Sequence, residues 1–522
     1  MDVLNRISAL FVCLSLLALG CQRDAPTSST NPARITGRVV SNSNGQPIAG
    51  ASVRIKGATD FALTTADGSF QLGLPKQLAD HPPSTRVTAS QTGYLIEGVD
   101  VLNPADNTQS VEIRLAPLPN HDNLNYVWTS PHPDPVGEFN CANCHAEMYR
   151  EWQTSGHASS ATNQRFINLY EGSTARDNVQ AGWSLLDELP EGAGVCLACH
   201  APSAPLEELG IGDVREVTGT VADGVHCDYC HKVQTLANET QLGLTHGRFA
   251  ASLLRPTEGQ LFFGPLDDVD RGEDSMAPFE TESRFCAACH EGTVFGVPVY
   301  TTYSEWLASR AAATNRTCQS CHMRPTGQMT NIAPGHGGID RDPSSLASHA
   351  MLPGGRLAML RDCVEVTTDL AETDSRLQVT VRLRTHDVGH RVPTGFIDRH
   401  LILAVEAFDH DHQAVAPQAG TLLTDAAGEL AGLAGMIFAK QLTDADGVTP
   451  APFWRGGSTW TDSRLEPDGV TDFVCAFPSN ANVIRVKLIY RPFWAETIRD
   501  KHWPDSSLII HETRHEWTTR QP

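Results

Sequence analysis

Positive charge is scarce in this chain. Lys and Arg together number 39 against 61 Asp and Glu, a formal net charge of −22 over 522 residues. That balance excludes a general nucleic-acid binder, which needs a basic face for phosphates. Long apolar runs are lacking as well. The uncharged run at residues 7–20 is too short for a bilayer, which takes roughly 20 residues, and no later segment is apolar enough. Residues 118–360 lack a clear hydrophobic period, so their core must come from another source. Cysteine, by contrast, is plentiful. Fourteen cysteines are too many for idle thiols in a cytosolic enzyme, and each needs an assignment. The length suits about three domains.

Arg6 followed by the uncharged run 7–20 reads as an export signal. The run closes Leu17-Ala18-Leu19-Gly20-Cys21, which resembles a bacterial lipobox. That resemblance implies a signal peptide at 1–20 and lipidation of Cys21. A plain secretory signal cleaved near Gly20 is the alternative. Residues 21–33 form a polar tether. Either reading exports the chain to the envelope of a Gram-negative-type bacterium, in the periplasm or on the outer membrane. Membrane attachment then rests on the lipid of Cys21.

Residues 34–117 read as an all-β unit. Val53 and Ile55 alternate with polar neighbours, and Ala66-Asp67-Gly68 is a hairpin turn before Phe70 and Leu72. The order Gly-x-Val, Gly-x-Pro-Ile-x-Gly-Ala-x-Val, Thr-x-Asp-Gly-x-Phe resembles the carboxypeptidase regulatory-like sandwich, which implies a structural role. Residues 361–522 return to strands. Leu377, Val379, Val381 and Leu383 alternate, and Val486, Leu488 and Tyr490 share one face. A second β-sandwich is expected there. Its cysteines, Cys363 and Cys475, are expected to pair as a disulfide in an oxidising compartment.

The middle region, 118–360, carries Cys-x-x-Cys-His five times. The copies are Cys141-Cys144-His145, Cys196-Cys199-His200, Cys227-Cys230-His231, Cys286-Cys289-His290 and Cys318-Cys321-His322. This is the attachment pattern of c-type haem. Two thiols add to the two haem vinyl groups, and cysteines at i and i+3 of a helical turn face the same side. The adjacent histidine reaches the iron as proximal ligand. Zinc ribbons need two pairs per metal and no histidine after each pair. Five redox Cys-x-x-Cys pairs in one chain make no sense either. The gaps between motifs alternate long and short. Tyr149-Arg150-Glu151-Trp152 after the first motif also matches Tyr303-Ser304-Glu305-Trp306 after the fourth. Both signs indicate a duplicated unit. The first copy continues to His157, where the second has Ala311.

The stretch from Cys141 to His157, Cys-x-x-Cys-His-x-Glu-x-Tyr-x-x-Trp-x-x-Ser-x-His, resembles the multihaem cytochrome c-554-type family. So do Gly224-Val225-His226-Cys227 and Cys321-His322-Met323. The resemblance implies a helical or irregular wrap around closely packed haems, which supply the missing core. It makes His157 the leading distal ligand, followed by His246, His336 and His349. His390, in Gly389-His390-Arg391-Val392-Pro393-Thr394-Gly395, or His386, reaches back towards the haems. His226 abuts Cys227 and is a further candidate. The acidic stretch 267–274 lacks calcium-loop spacing and reads as a solvated loop.

The expectation is a multidomain chain of β-sandwich, mainly α or irregular pentahaem cytochrome domain, and C-terminal β-sandwich. It would carry electrons along five covalently bound haems (iron). An oxidoreductase acting on a small nitrogen or sulfur compound at one open haem is the alternative. The Cys-x-x-Cys-Lys motif of pentahaem nitrite reductases is absent. Haem propionates would add negative charge, so a redox partner with a basic docking face is expected, and no nucleic acid.

Overall fold

The computed structural model describes residues 34–74, 84–104, 110–137, 139–236, 246–455 and 459–518. The export signal, Cys21 and the tether lie outside these residues.

The N-terminal unit is a sandwich of two sheets. Arg34–Ser41 runs antiparallel to Ser69–Gly73 and parallel to Ser110–Leu115. The facing sheet orders Phe61–Leu63, Ser52–Ile55, Ser84–Ser90 and Glu97–Leu102. Alternation in each strand sends Ile35, Val39, Val53, Phe70, Val87 and Ile113 into one core. Gly37 is required in the first strand, because a Cβ there would lie 2.1 Å from the carbonyl oxygen of Val111.

The C-terminal unit is also two-layered. Val364–Thr373, Arg376–Thr385 and Val470–Pro478 form an antiparallel sheet. It faces a larger sheet centred on His400–Phe408, which lies between Ala434–Thr443 and Val483–Arg491. Leu377, Val379, Val381 and Leu383 meet Leu401, Leu403, Val486, Leu488 and Tyr490 between the layers. His400–Phe408 is nearly all buried, as suits a central strand with apolar residues on both faces.

The expected disulfide is not formed. Cys363 and Cys475 are both free thiols. Cys475 sits opposite Val379, whereas Cys363 ends the helix Arg356–Cys363, just before Val364, which is opposite Thr385. At about 3.3 Å per strand residue, that register holds the two roughly 20 Å apart. A disulfide needs its Cα atoms within about 7 Å.

The middle region has little regular structure. Its helices are one or two turns long, and its strands form two-stranded ribbons. Helices this short do not persist on intrinsic propensity. Caps and tertiary contacts hold them. Asn163 accepts the Arg165 and Phe166 amides to start Gln164–Glu171, and Gly172, at φ 86°, ends it. Among the described residues no helix is long and apolar enough to cross a membrane.

The acidic stretch is not a solvated loop. Asp267 takes Arg54 at 2.7 Å and the Ser52 hydroxyl at 2.9 Å. Asp270 takes Lys56 at 2.7 Å and Arg86 at 2.6 Å. Asp268 accepts the Gly57 amide at 2.7 Å and pairs with Arg341, beyond the fifth motif, at 2.7 Å. Three carboxylates therefore bolt the N-terminal sandwich to the middle region. A run of acidic residues looks solvated in sequence because its basic partners lie about 200 residues away.

Candidate functional site

Each Cys-x-x-Cys lies on a helical turn. The turns are Cys141–Cys144, Pro190–Cys196 leading into Leu197–His200, Cys227–Cys230, Ser283–His290 and Cys318–His322. The turn places both thiols of a pair on one side. All ten motif cysteines and all five motif histidines line one cavity of about 2090 Å³. Ordinary ligand pockets span about 300–1,000 Å³. Residues 118–360 bury only small apolar clusters, such as that of Tyr170, Leu197 and Phe249, beside this cavity.

Four of the five motif histidines turn Nδ1 to a backbone carbonyl. Nδ1 of His145 faces the carbonyl of Ile332 at 2.8 Å, and that of His200 faces Ser160 at 2.6 Å. Nδ1 of His231 faces Phe263 at 2.6 Å, and that of His322 faces Met351 at 3.1 Å. A carbonyl only accepts, so the proton sits on Nδ1 and the Nε2 lone pair is left for iron. Burial pushes His145, His200 and His322 below the usual imidazole range, and it takes His290 to about 3 with help from His157. A neutral imidazole is the form that ligates a metal.

The motifs also influence one another. The thiols of Cys141, Cys199 and Cys286 are each raised by a thiol of another motif, that of Cys227, Cys289 and Cys318 in turn. First joins third, second joins fourth, and fourth joins fifth. A buried pair braces the third motif. Lys232 donates to Asp228, whose other oxygen accepts the Thr129 amide at 2.7 Å and the Tyr126 hydroxyl at 3.0 Å. Burial pushes the carboxyl of Glu280 up to about 7, and its Oε1 stands 3.7 Å from His231 Nδ1. Neither feature was readable from motif spacing.

Two of the expected distal histidines face a motif histidine. The ring centres of His157 and His290 are 6.2 Å apart, and so are those of His322 and His390. An iron bonded to both Nε2 atoms at about 2.0 Å holds two imidazole centres about 6 Å apart. His390 also turns Nδ1 to a carbonyl, that of Arg391, at 3.0 Å. These positions fit a bis-histidine haem iron. His349 is a half-buried residue lining the cavity, and desolvation of its ring, with the charges of His231 and His145, takes it to about 4. His246 is buried with no hydrogen-bond partner at Nε2, and its ring lies against Gly292.

Three other histidines differ. His336 is exposed at the rim of the cavity, unlike the other expected ligands. His386 is 40% exposed on the surface, so of the two histidines in that segment only His390 enters the cavity. His226 is fully buried, but its Nδ1 accepts the Tyr229 amide at 3.3 Å. That bond places the ring proton on Nε2, the reverse of the motif histidines. His226 caps the helix Cys227–Cys230.

The duplicated segment has a structural counterpart. Ala146–Trp152 and Thr302–Leu307 are both helices. The Trp152 indole donates to the Val225 carbonyl at 2.9 Å, and that of Trp306 to Arg316 at 2.8 Å. Val225 and Arg316 each lie two residues before the first cysteine of a motif. First and third motifs therefore correspond to fourth and fifth.

Comparison with known proteins agrees with this geometry. Residues 34–116 match the carboxypeptidase regulatory-like domain, and residues 140–232 match cytochrome c554 and c-prime. No curated protein matches the chain. Among solved structures it resembles a penta-heme cytochrome c552 from Thermochromatium tepidum. That likeness has 23% identity and a TM-score of 0.54, and it covers 72% of this chain and 97% of the other. At that identity the likeness is one of fold. The putative ApaA protein from Bordetella pertussis aligns with 30% of this chain and 94% of its own at 9% identity, and its TM-score of 0.12 carries no argument. Five motifs opening onto one cavity agree with the match of residues 140–232 to cytochrome c554 and c-prime, and the N-terminal sandwich agrees with the match of residues 34–116 to the carboxypeptidase regulatory-like domain.

Proposed function

We propose that this chain is an exported pentahaem cytochrome that moves electrons one at a time along five covalently bound haems. The observation that carries this reading is that all five motifs open onto one cavity. Cys141, Cys144, Cys196, Cys199, Cys227, Cys230, Cys286, Cys289, Cys318 and Cys321 hold the haems as thioethers. His145, His200, His231, His290 and His322 are the proximal ligands. His157 completes the site of His290, and His390 that of His322. His349, His246 and His336 serve the remaining sites, with His336 the least enclosed. The bound iron supplies a one-electron ferric–ferrous couple. The protein sets each potential through axial ligands, burial and nearby charge.

The influence of Cys227 on Cys141, of Cys318 on Cys286 and of Cys289 on Cys199 suits a path from first to third and from fourth to fifth, with the second joining at the fourth. Cys289 lies within electrostatic reach of Cys230, which links the third to the fourth. Export, and a lipid on Cys21, follow from the sequence of the first 21 residues. A partner with a basic docking face suits the acidic chain.

The test is intact mass of the mature protein together with electron paramagnetic resonance of its oxidised form. Five haem additions and low-spin signals unchanged by nitrite, hydroxylamine or cyanide are expected. Another haem count would overturn the pentahaem reading. A high-spin haem that binds one of those ligands would make the protein an oxidoreductase instead.

A further inference from the structure

We propose that Glu151 and Glu305, the same position of the duplicated Tyr-x-Glu-Trp segment, are positioning residues that each seat the loop carrying a distal histidine. The inference rests on the reading of His349 and His390 as iron ligands. Glu151 Oε2 accepts the backbone amide of His349 at 2.7 Å. Glu305 Oε2 accepts the amide of Arg391, the residue after His390, at 3.1 Å and the Thr394 hydroxyl at 3.3 Å. The two loops are unrelated. One follows the fifth motif, and the other belongs to the C-terminal β unit. Equivalent carboxylates on equivalent helices catch both.

A carboxylate suits this task because one oxygen can hold the loop while the other is itself anchored. Glu305 Oε1 accepts the Thr301 hydroxyl at 2.5 Å and pairs with Arg464 at 2.6 Å. Arg464 also donates to the Pro393 carbonyl at 3.3 Å and binds Asp462 at 2.7 Å. The loop is thus gripped from both sides of the seam between domains.

Steric fit agrees. A Cβ on Gly389 would lie 2.8 Å from Trp306 and 3.1 Å from the Ala311 side chain. Ala311 occupies the place of His157 in the first copy. The small side chain of Ala311 leaves room for the loop that carries His390. His390 faces the fifth-motif histidine, so correspondence of the copies assigns His349 to His231 of the third motif.

The test uses the full-length, haem-loaded protein, with electron paramagnetic resonance and redox titration of Glu305→Ala, Glu151→Ala, His390→Ala and His349→Ala. Glu147→Ala, on the same helix as Glu151, is the control. Each glutamate variant is expected to turn one haem's worth of low-spin signal high-spin and to shift one midpoint potential. Added imidazole should restore the low-spin form. Glu305→Gln and Glu151→Gln keep an acceptor oxygen and should hold most of the low-spin signal. They replace the alanine variants if those do not accumulate, and a spectrum equal to that of the matching histidine variant would then overturn the seating role. Unchanged spectra and potentials in Glu305→Ala and Glu151→Ala, with high-spin haem in the histidine variants, would also overturn the seating role while leaving the ligands intact. Low-spin haem throughout in His390→Ala and His349→Ala would overturn the ligand reading itself.

Discussion

Arg464 and Glu305 meet at 2.6 Å across the seam between the haem region and the C-terminal β unit, with side chains only 6% and 11% exposed. Truncating one partner strands a buried charge. Arg464→Leu is expected to cost about 3–5 kcal/mol in the stability of the docked C-terminal unit. Chemical denaturation followed by tryptophan fluorescence measures it. A loss below about 1 kcal/mol would mean that the pair is solvated in solution.

Asp270 makes docking of the N-terminal sandwich sensitive to acid. Burial raises its carboxyl, but Lys56 and Arg86 outweigh that and hold it below the usual carboxylate value. A carboxyl depressed by folding stabilises above its unfolded value, near 3.9, and loses that contribution as pH falls through the folded one. Asp270→Asn should therefore lower the melting temperature at pH 6–7. The difference from the native chain should shrink below about pH 4. A difference that stays constant down to about pH 2 would contradict the linkage.

Cys363 and Cys475 should behave as two sheltered thiols. Burial pushes Cys363 up to about 11 and Cys475 up to about 12, which keeps both in the unreactive form. Alkylation should be slow in the native protein and should label both after denaturation without reductant. Mass spectrometry of the non-reduced digest checks this, and a peptide linking the two would show the register argument to be wrong.

Chain made without haem attachment should lose its middle and keep its flanks. The 2090 Å³ cavity has no side chains to fill it, and its walls are helices of one or two turns. Limited proteolysis of such a chain should cut within 118–360 while 34–117 survives. Equal resistance across the whole chain would mean that the small clusters around Phe249 and Leu253 hold the middle without haem.

What could be read from the sequence was local. Thioether chemistry fixes the spacing of Cys141, Cys144 and His145 within one helical turn, so five copies stand out. Alternation of Leu377, Val379, Val381 and Leu383 foretold a strand face, and all four are at most 1% exposed. What escaped was pairing at a distance. The acidic run around Asp268 reads as solvated until Arg341 and Gly57 arrive. Cys363 and Cys475 looked like partners because nothing in their neighbourhoods gives the register. His226 and His336 were separable only by burial and by what faces Nδ1. The repeated Glu of Tyr-x-Glu-Trp was visible, but its acceptor role depends on loops from elsewhere in the chain.

On the proposed ligand set the fifth motif and His390 come from different domains, which would impose an order on biogenesis. Cys318, Cys321 and His322 emerge from synthesis before His390, and His390 is held in place by Arg464, which emerges later still. Attachment at the fifth motif can be complete while its second axial position stays vacant. On that reading His390 would be seated only once Arg464 has met Glu305 and the Pro393 carbonyl. A nascent or truncated cytochrome would thus carry one five-coordinate iron, and the shift to six-coordinate would mark the moment the molecule is finished.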